Sequence, residues 1–191
     1  MISHHHFIII TERPLDEWKE TVIMAVSKPP PKTPDLVAIG SAAPAWNMPD
    51  QTGRQHRLRD YQGRWVVLYF YPKDDTPGCT KEACQFRDAL SRFKRGDAAV
   101  LGISPDAPAS HEKFRAKFDL NFDLLADVGS GVCKKYGVWQ SKSMYGRSYM
   151  GVVRTTYLID PNGKVAHRWD KVKVDEHDAE VLEKIKQLKR G

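Results

Sequence analysis

Apolar positions change their spacing repeatedly along this chain, and each change marks an element. Trp65-Val-Val-Leu-Tyr-Phe-Tyr71 is an unbroken apolar, β-branched and aromatic run, the pattern of a central strand covered on both faces. Residues 77–95 follow with Ala83, Phe86, Leu90 and Phe93 at spacings of three, four and three, which is a helix stripe. Ala98 to Ser104 reads as a second buried strand, and Pro108 to Phe118 as a helix with Phe114 and Phe118 four apart. Leu124-Leu125-Ala126 predicts a short strand and Gly131 to Tyr136 a short helix. Thr155 to Ile159 and Val165 to Trp169 are strands joined by Asp160-Pro161-Asn162-Gly163, a hairpin turn. Asp175 to Lys189 closes the chain as an amphipathic helix expected to turn Val181, Leu182, Ile185 and Leu188 inward.

Alternating strands and helices predict parallel strands with crossover connections, and the hairpin adds an antiparallel edge. The fold class is therefore α/β, a mixed central sheet with helices on both faces. Ala45 to Met48 and Gln55 to Leu58 flank Asp50-Gln-Thr-Gly53 and predict an added N-terminal hairpin. Residues 1–35 differ from the rest. Pro29, Pro30, Pro31 and Pro34 form a stretch that runs as extended polyproline. The expected organisation is an N-terminal extension with a Pro-rich linker over 1–35 and one domain over 36–191. His4, His5 and His6 read as a solvated tract, because no Cys or second His cluster completes a metal site. Phe7 to Ile10 is too short for a signal-peptide core, and Met24 heads a more ordinary N-terminus.

Composition narrows the function classes. Hydrophobic residues make up 41% and charged residues 28%, ordinary globular usage that excludes wholesale disorder. The net charge is +6, but the 30 Lys and Arg residues are dispersed among 24 acids. No aromatic-basic motif accompanies them, so no nucleic-acid partner is expected. No apolar run approaches the roughly 18 residues that span a bilayer, so no membrane partner is expected either. Three cysteines are too few for a disulfide scaffold and read as the set of a reducing compartment, which points to the cytoplasm.

The chemistry concentrates in Tyr71-Pro72-Lys73-Asp74-Asp75-Thr76-Pro77-Gly78-Cys79-Thr80-Lys81-Glu82-Ala83-Cys84, between the central strand and its helix. Open α/β sheets place their ligands at this carboxyl end. Thr76 suits an N-cap and Pro77 a first helical residue, so Cys79 falls in the first turn, where free N–H groups and the helix dipole favour a thiolate. Gly78 is expected to leave its sulfur uncrowded. Cys84 lies five residues on, which in an ideal helix separates the two Cα atoms by about 8.6 Å. A disulfide needs them within about 7 Å, so the pair bonds only if the first helical turns unwind. Two readings of Cys84 stay open here: a small buried residue, or a partner that captures Cys79 after unwinding. A zinc site is disfavoured because no second pair sits at ligand spacing.

Pro72-x-x-x-Thr76-x-x-Cys79 matches the peroxiredoxin active-site motif. The longer run from Phe70 through Thr80, with a Cys at plus five, resembles the bacterioferritin comigratory protein, or Q-type, subfamily. Leu124-Leu-Ala-Asp127, Tyr136-Gly-Val-Trp139 and Arg154-x-x-Tyr157-Leu-Ile-Asp160 extend the likeness, which runs from about Gly40 to Leu188. The resemblance implies a thioredoxin-like fold and reduction of hydroperoxides by thiol chemistry. Cys79 would be the attacking thiolate, leaving as sulfenic acid, and Cys84 the resolving cysteine. Thr76 would contact the sulfur and the peroxide, Pro72 would shield the site from water, and Arg154 would lie against the sulfur. A thioredoxin-type dithiol would re-reduce the disulfide of a monomeric enzyme, and no metal, haem or flavin cofactor is implied. Cys133 reads as a small core residue, with a back-up redox role as the alternative. Lys73, Lys81 and Arg87 read as solvated surface or as steering charges. The competing function is a thiol–disulfide carrier of the same fold, which its Cys-x4-Cys spacing disfavours.

Overall fold

The computed structural model describes residues 35–144 and 146–190. The expected extension through Pro34, with its histidine tract and proline linker, lies outside them. In chain order the elements are β1 (Asn47–Pro49), β2 (Gln55–Arg57), a 3-10 turn (Leu58–Tyr61), β3 (Trp65–Phe70), α1 (Pro77–Arg95), β4 (Ala98–Ser104), α2 (Pro108–Lys117), β5 (Asp123–Ala126), α3 (Gly131–Lys135), β6 (Trp139–Met144), β7 (Arg147–Val152), β8 (Thr155–Ile159), β9 (Val165–Asp170) and α4 (His177–Arg190).

The central sheet has five strands in the order β5-β4-β3-β8-β9. β3, β4 and β5 are parallel, whereas β8 runs antiparallel to both β3 and β9. Every residue of β3 is buried, because both of its faces are covered. Trp65, Val67, Tyr69 and Tyr71 pack with Ala83, Phe86, Leu90 and Phe93 of α1, with Phe114 of α2 and with Val181, Leu182 and Ile185 of α4. Val66, Leu68 and Phe70 pack on the other face with Val132 and Cys133 of α3 and with Trp46 and Met48 around β1. The unbroken apolar run in the sequence is thus the signature of this two-sided burial. Tyr69 stacks on Phe86 at 4.9 Å between ring centroids and so seats α1 on the sheet. Its ring crosses Gly102 of β4, where a Cβ would lie 2.6 Å from the Tyr69 hydroxyl, so only glycine fits there.

The added hairpin is present as β1 paired with β2, slightly shorter than expected. In its turn the Asp50 carboxylate accepts from the Thr52 and Arg54 N–H groups, and Gly53 takes φ +87. The turn between β8 and β9 closes in the same way, with Asp160 accepting from the Asn162 and Lys164 N–H groups. Two features depart from the sequence reading. Leu188 is 41% exposed rather than inward, because the last turn of α4 runs on past Ile185, its last buried residue. The β6–β7 hairpin has no counterpart in the apolar pattern. Among the described residues its two strands pair only with each other, and they form no part of the central sheet. Among the described residues no helix is long and apolar enough to cross a membrane.

Candidate active site

The loop from Tyr71 to Thr76 leaves the carboxyl end of β3 and enters α1 at Pro77. Thr76 takes the extended N-cap conformation, φ −100 and ψ 149. Its hydroxyl does not cap the helix, contrary to the sequence expectation. It donates instead to the Lys73 carbonyl at 3.1 Å. The first helical bond is Thr80 N–H to the Thr76 carbonyl. Pro77 has no N–H, and those of Gly78 and Cys79 precede this bond, so the uncapped helix start presents them toward the site. Thr76 has its proton committed to Lys73, which leaves its lone pairs as acceptors.

Cys79 is 1% exposed and belongs to the core cluster under α1. The expectation of an uncrowded sulfur is therefore corrected. Gly78 makes a different contribution: a Cβ there would touch Arg154 Nη2 at 3.4 Å, so the guanidinium lies over the glycine. Arg154 Nη2 donates to Cys79 Sγ at 3.2 Å. These residues are 75 apart in sequence, and the sheet register joins them. Thr155 pairs with Phe70 across β8 and β3, which puts Arg154 beside the start of the active-site loop.

Arg154 Nη1 donates to Glu82 Oε2 in an ion pair with a carboxylate that is fully buried. The sequence reading missed Glu82. It lies three residues after Cys79, beside Ala83 on the inward face of α1, and an acid in a buried stripe is itself a sign that a cation waits opposite. Burial pushes the Glu82 carboxyl up to about 7, with Arg154 opposing the shift. The Arg154 guanidinium is pushed down by its own burial, but Glu82 and Cys79 outweigh this and hold it above its usual value. One guanidinium thus forks between an acid and a sulfur, a geometry that suits arginine and not lysine.

The remaining residues fall at graded distances from this centre. Pro72 is half-buried in the loop. Cys84 is half-buried within an unbroken α1, and all three cysteines are free. Cys133 lies in the core on the opposite face of the sheet from Cys79. Burial first, and Asp127 next, push its thiol far above the usual range. Lys73 is exposed, Lys81 pairs with Asp175, and Arg87 donates to the Phe118 carbonyl at 2.7 Å. A second group of polar residues, Asp50, His56 and Asp123, has ligand atoms within 4.8 Å of one another. These atoms already bond one another or Thr52, Arg54, Tyr61 and Gln51 and close the β1–β2 turn onto β5.

Residues 39–168 match the AhpC/TSA family. The chain is 44% identical over 152 residues to the peroxiredoxin Bcp of Bacillus subtilis, covering 80% of this chain and 97% of that protein. A variant of PrxQ from Xylella fastidiosa superposes with a TM-score of 0.77 at 36% identity, covering 81% of this chain and 99% of the other. The bacterioferritin comigratory protein of Xanthomonas campestris, a protein with alkyl peroxide reduction activity, superposes with a TM-score of 0.72 at 39% identity, covering 75% and 91%.

Proposed function

The chain belongs to the AhpC/TSA family, and on that premise we propose that it is a thiol peroxidase whose nucleophile is Cys79. The observation that carries this reading is the Arg154 Nη2 to Cys79 Sγ contact at 3.2 Å. A buried sulfur that meets a guanidinium and open helix N–H groups has donors already placed around it for chemistry at that atom. The thiolate attacks one oxygen of a hydroperoxide, the O–O bond breaks, and with one proton the products are Cys79 sulfenic acid and an alcohol or water. Charge builds on the departing oxygen, where Arg154 and the N–H groups of Gly78 and Cys79 act as fixed donors. Thr76 accepts from the peroxide O–H, and Pro72 covers the site.

Cys84 then attacks the sulfenic sulfur, releasing water and forming an intramolecular disulfide. Two cysteines about 8.6 Å apart in a helix cannot bond, so the first turns of α1 unwind. The core contacts of Ala83 and Phe86 must be released. The Arg154–Glu82 pair and the exposed Lys81–Asp175 pair must break as well. A thioredoxin-type dithiol returns the disulfide to two thiols. The protein works as a monomer in the reducing cytoplasm, a setting that suits its three free cysteines. The thiol–disulfide carrier reading loses support, because peroxiredoxin relatives match nearly the whole domain.

The test is peroxide turnover with a dithiol reductant, using wild type beside Cys79→Ser and Cys84→Ser. Mass mapping of the oxidised chain should find the 79–84 pair, with faster hydrogen exchange over 77–86. Peroxide consumption that survives Cys79→Ser would overturn the assignment. A disulfide through Cys133 would overturn the resolving step alone.

A further inference from the structure

Asp74, within the active-site loop, is nearly buried, yet no step above uses it. Its carboxylate accepts from the Tyr71 hydroxyl at 2.7 Å, from Ser110 Oγ at 2.7 Å and from His111 Nδ1 at 2.9 Å. These bonds outweigh its burial and hold its carboxyl below the usual range, so it is ionised. An ionised carboxylate only accepts, so His111 Nδ1 carries the proton. His111 is fully buried, and its Nε2 has no partner among the described residues. The Asp74 N–H donates in turn to Asp106 at 2.8 Å, and Ser104 Oγ donates to the same oxygen. Asp75, in the left-handed region at φ +52, pairs with Lys117 at 2.6 Å. The upstream half of the loop is thus bolted to α2 and to the end of β4. Its downstream neighbours, Cys79 and Glu82, are held by Arg154, which immediately precedes β8 on the other side of β3.

A buried, charged network of this kind costs desolvation energy and does nothing for packing that apolar side chains would not do. What it does supply is a fixed position, because a carboxylate with three donors admits one loop geometry. We infer that Asp74, Ser110 and His111 form a positioning latch for peroxide attack. The latch fixes Pro72 and Thr76 relative to Cys79 and stays closed when α1 unwinds, so that Pro77 and Gly78 are the hinge and the site reassembles after each turnover. This rests on the reading of Cys79 as the peroxide nucleophile.

The latch acts on the loop and not on the sulfur, and the test uses that difference. The full-length protein is assayed by stopped flow for reaction of Cys79 with hydrogen peroxide and, separately, with iodoacetamide, which needs no loop contact. His111→Leu, which removes the donor, should slow the peroxide reaction about tenfold or more, the scale of one lost charge-assisted hydrogen bond. The iodoacetamide rate should change by less than about twofold. His111→Asn, whose amide places a donor near the Nδ1 position, should recover the peroxide rate to within about threefold of wild type. Ser110→Ala, a milder change that decides the matter if His111→Leu does not fold, should slow peroxide alone by about threefold to fivefold. Peroxide and iodoacetamide rates that fall together, or a peroxide rate unchanged in both Ser110→Ala and His111→Leu, would overturn the latch. A wild-type protein inert to peroxide would instead overturn the function on which it rests.

Discussion

Cys79 and Cys133 occupy the same place in two different helices. Each is the third residue of a helix that follows a parallel strand of the central sheet, and each is buried, at 1% and 0% exposure. Their surroundings are opposite. At Cys133 the helix start is capped by Asp127, whose two carboxylate oxygens accept from the N–H groups of Val132 and Cys133 at 3.0 and 2.7 Å. The free donors are used, and burial first, with Asp127 next, suppresses ionisation of the thiol. At Cys79 the Thr76 N-cap makes no side-chain cap bond, and Arg154 meets the sulfur. The two sulfurs thus share a buried first-turn position but meet opposite charges, Arg154 at one and Asp127 at the other.

This contrast is open to direct attack by substitution. Cys79→Ser should reduce peroxide turnover to below about one percent of wild type while Cys133→Ser leaves it within about twofold, in a dithiol-coupled assay. Comparable losses in the two variants would erase the distinction. Arg154→Leu should slow peroxide attack by about 10²–10³-fold, the loss commonly seen on removing one preorganised donor. Arg154→Lys should recover little of this, because a point charge cannot fork between Cys79 and Glu82. Full rescue by lysine would show that charge alone matters.

Glu82 supplies a test through pH. Its carboxyl rises from 4.5 to about 7 on folding, so between those values the folded chain holds a proton that the unfolded chain has released. Stability contributed by that proton is present below about pH 4.5 and is lost as pH rises through about 7. The whole change is at most about 3 kcal/mol. Urea midpoints should therefore fall with rising pH in wild type more steeply than in Glu82→Gln, and parallel slopes would refute the buried acid. The smallest effect is expected at the contrasting helix. Asp127→Ala should cost about 1–2 kcal/mol in denaturant unfolding through loss of the cap, with peroxide turnover per folded molecule unchanged. A large activity loss there would mean that the two helix starts are coupled across the sheet.

The elements were legible in the sequence wherever one face of an element is buried. The limits of α1 and β4 are observed where apolar spacing puts them, and the turn residues at Asp160 to Gly163 mark the hairpin correctly. The β6–β7 hairpin escaped because its strands are largely exposed and carry no such pattern. Leu188 misled because periodicity records which side of a helix is apolar, not where the sheet beneath it ends. Cys79 and Thr76 were legible by their place at the helix start, and Pro72 and Arg154 only through resemblance.

Glu82 and the Asp74–His111 network were not legible as functional groups, since each is defined by a partner distant in sequence. Glu82 gains its meaning from Arg154, 72 residues away, and Asp74 from His111, 37 away. By itself the sequence determined the helices, the central strands and the place of Cys79 in the first turn of α1, because helix periodicity and burial act between residues a few positions apart. The pairing of β3 with β8, and the packing of α2 against the loop, decided which charges meet. The reason is physical: a buried charge is tolerated only beside its counterpart, and sheet register sets that proximity.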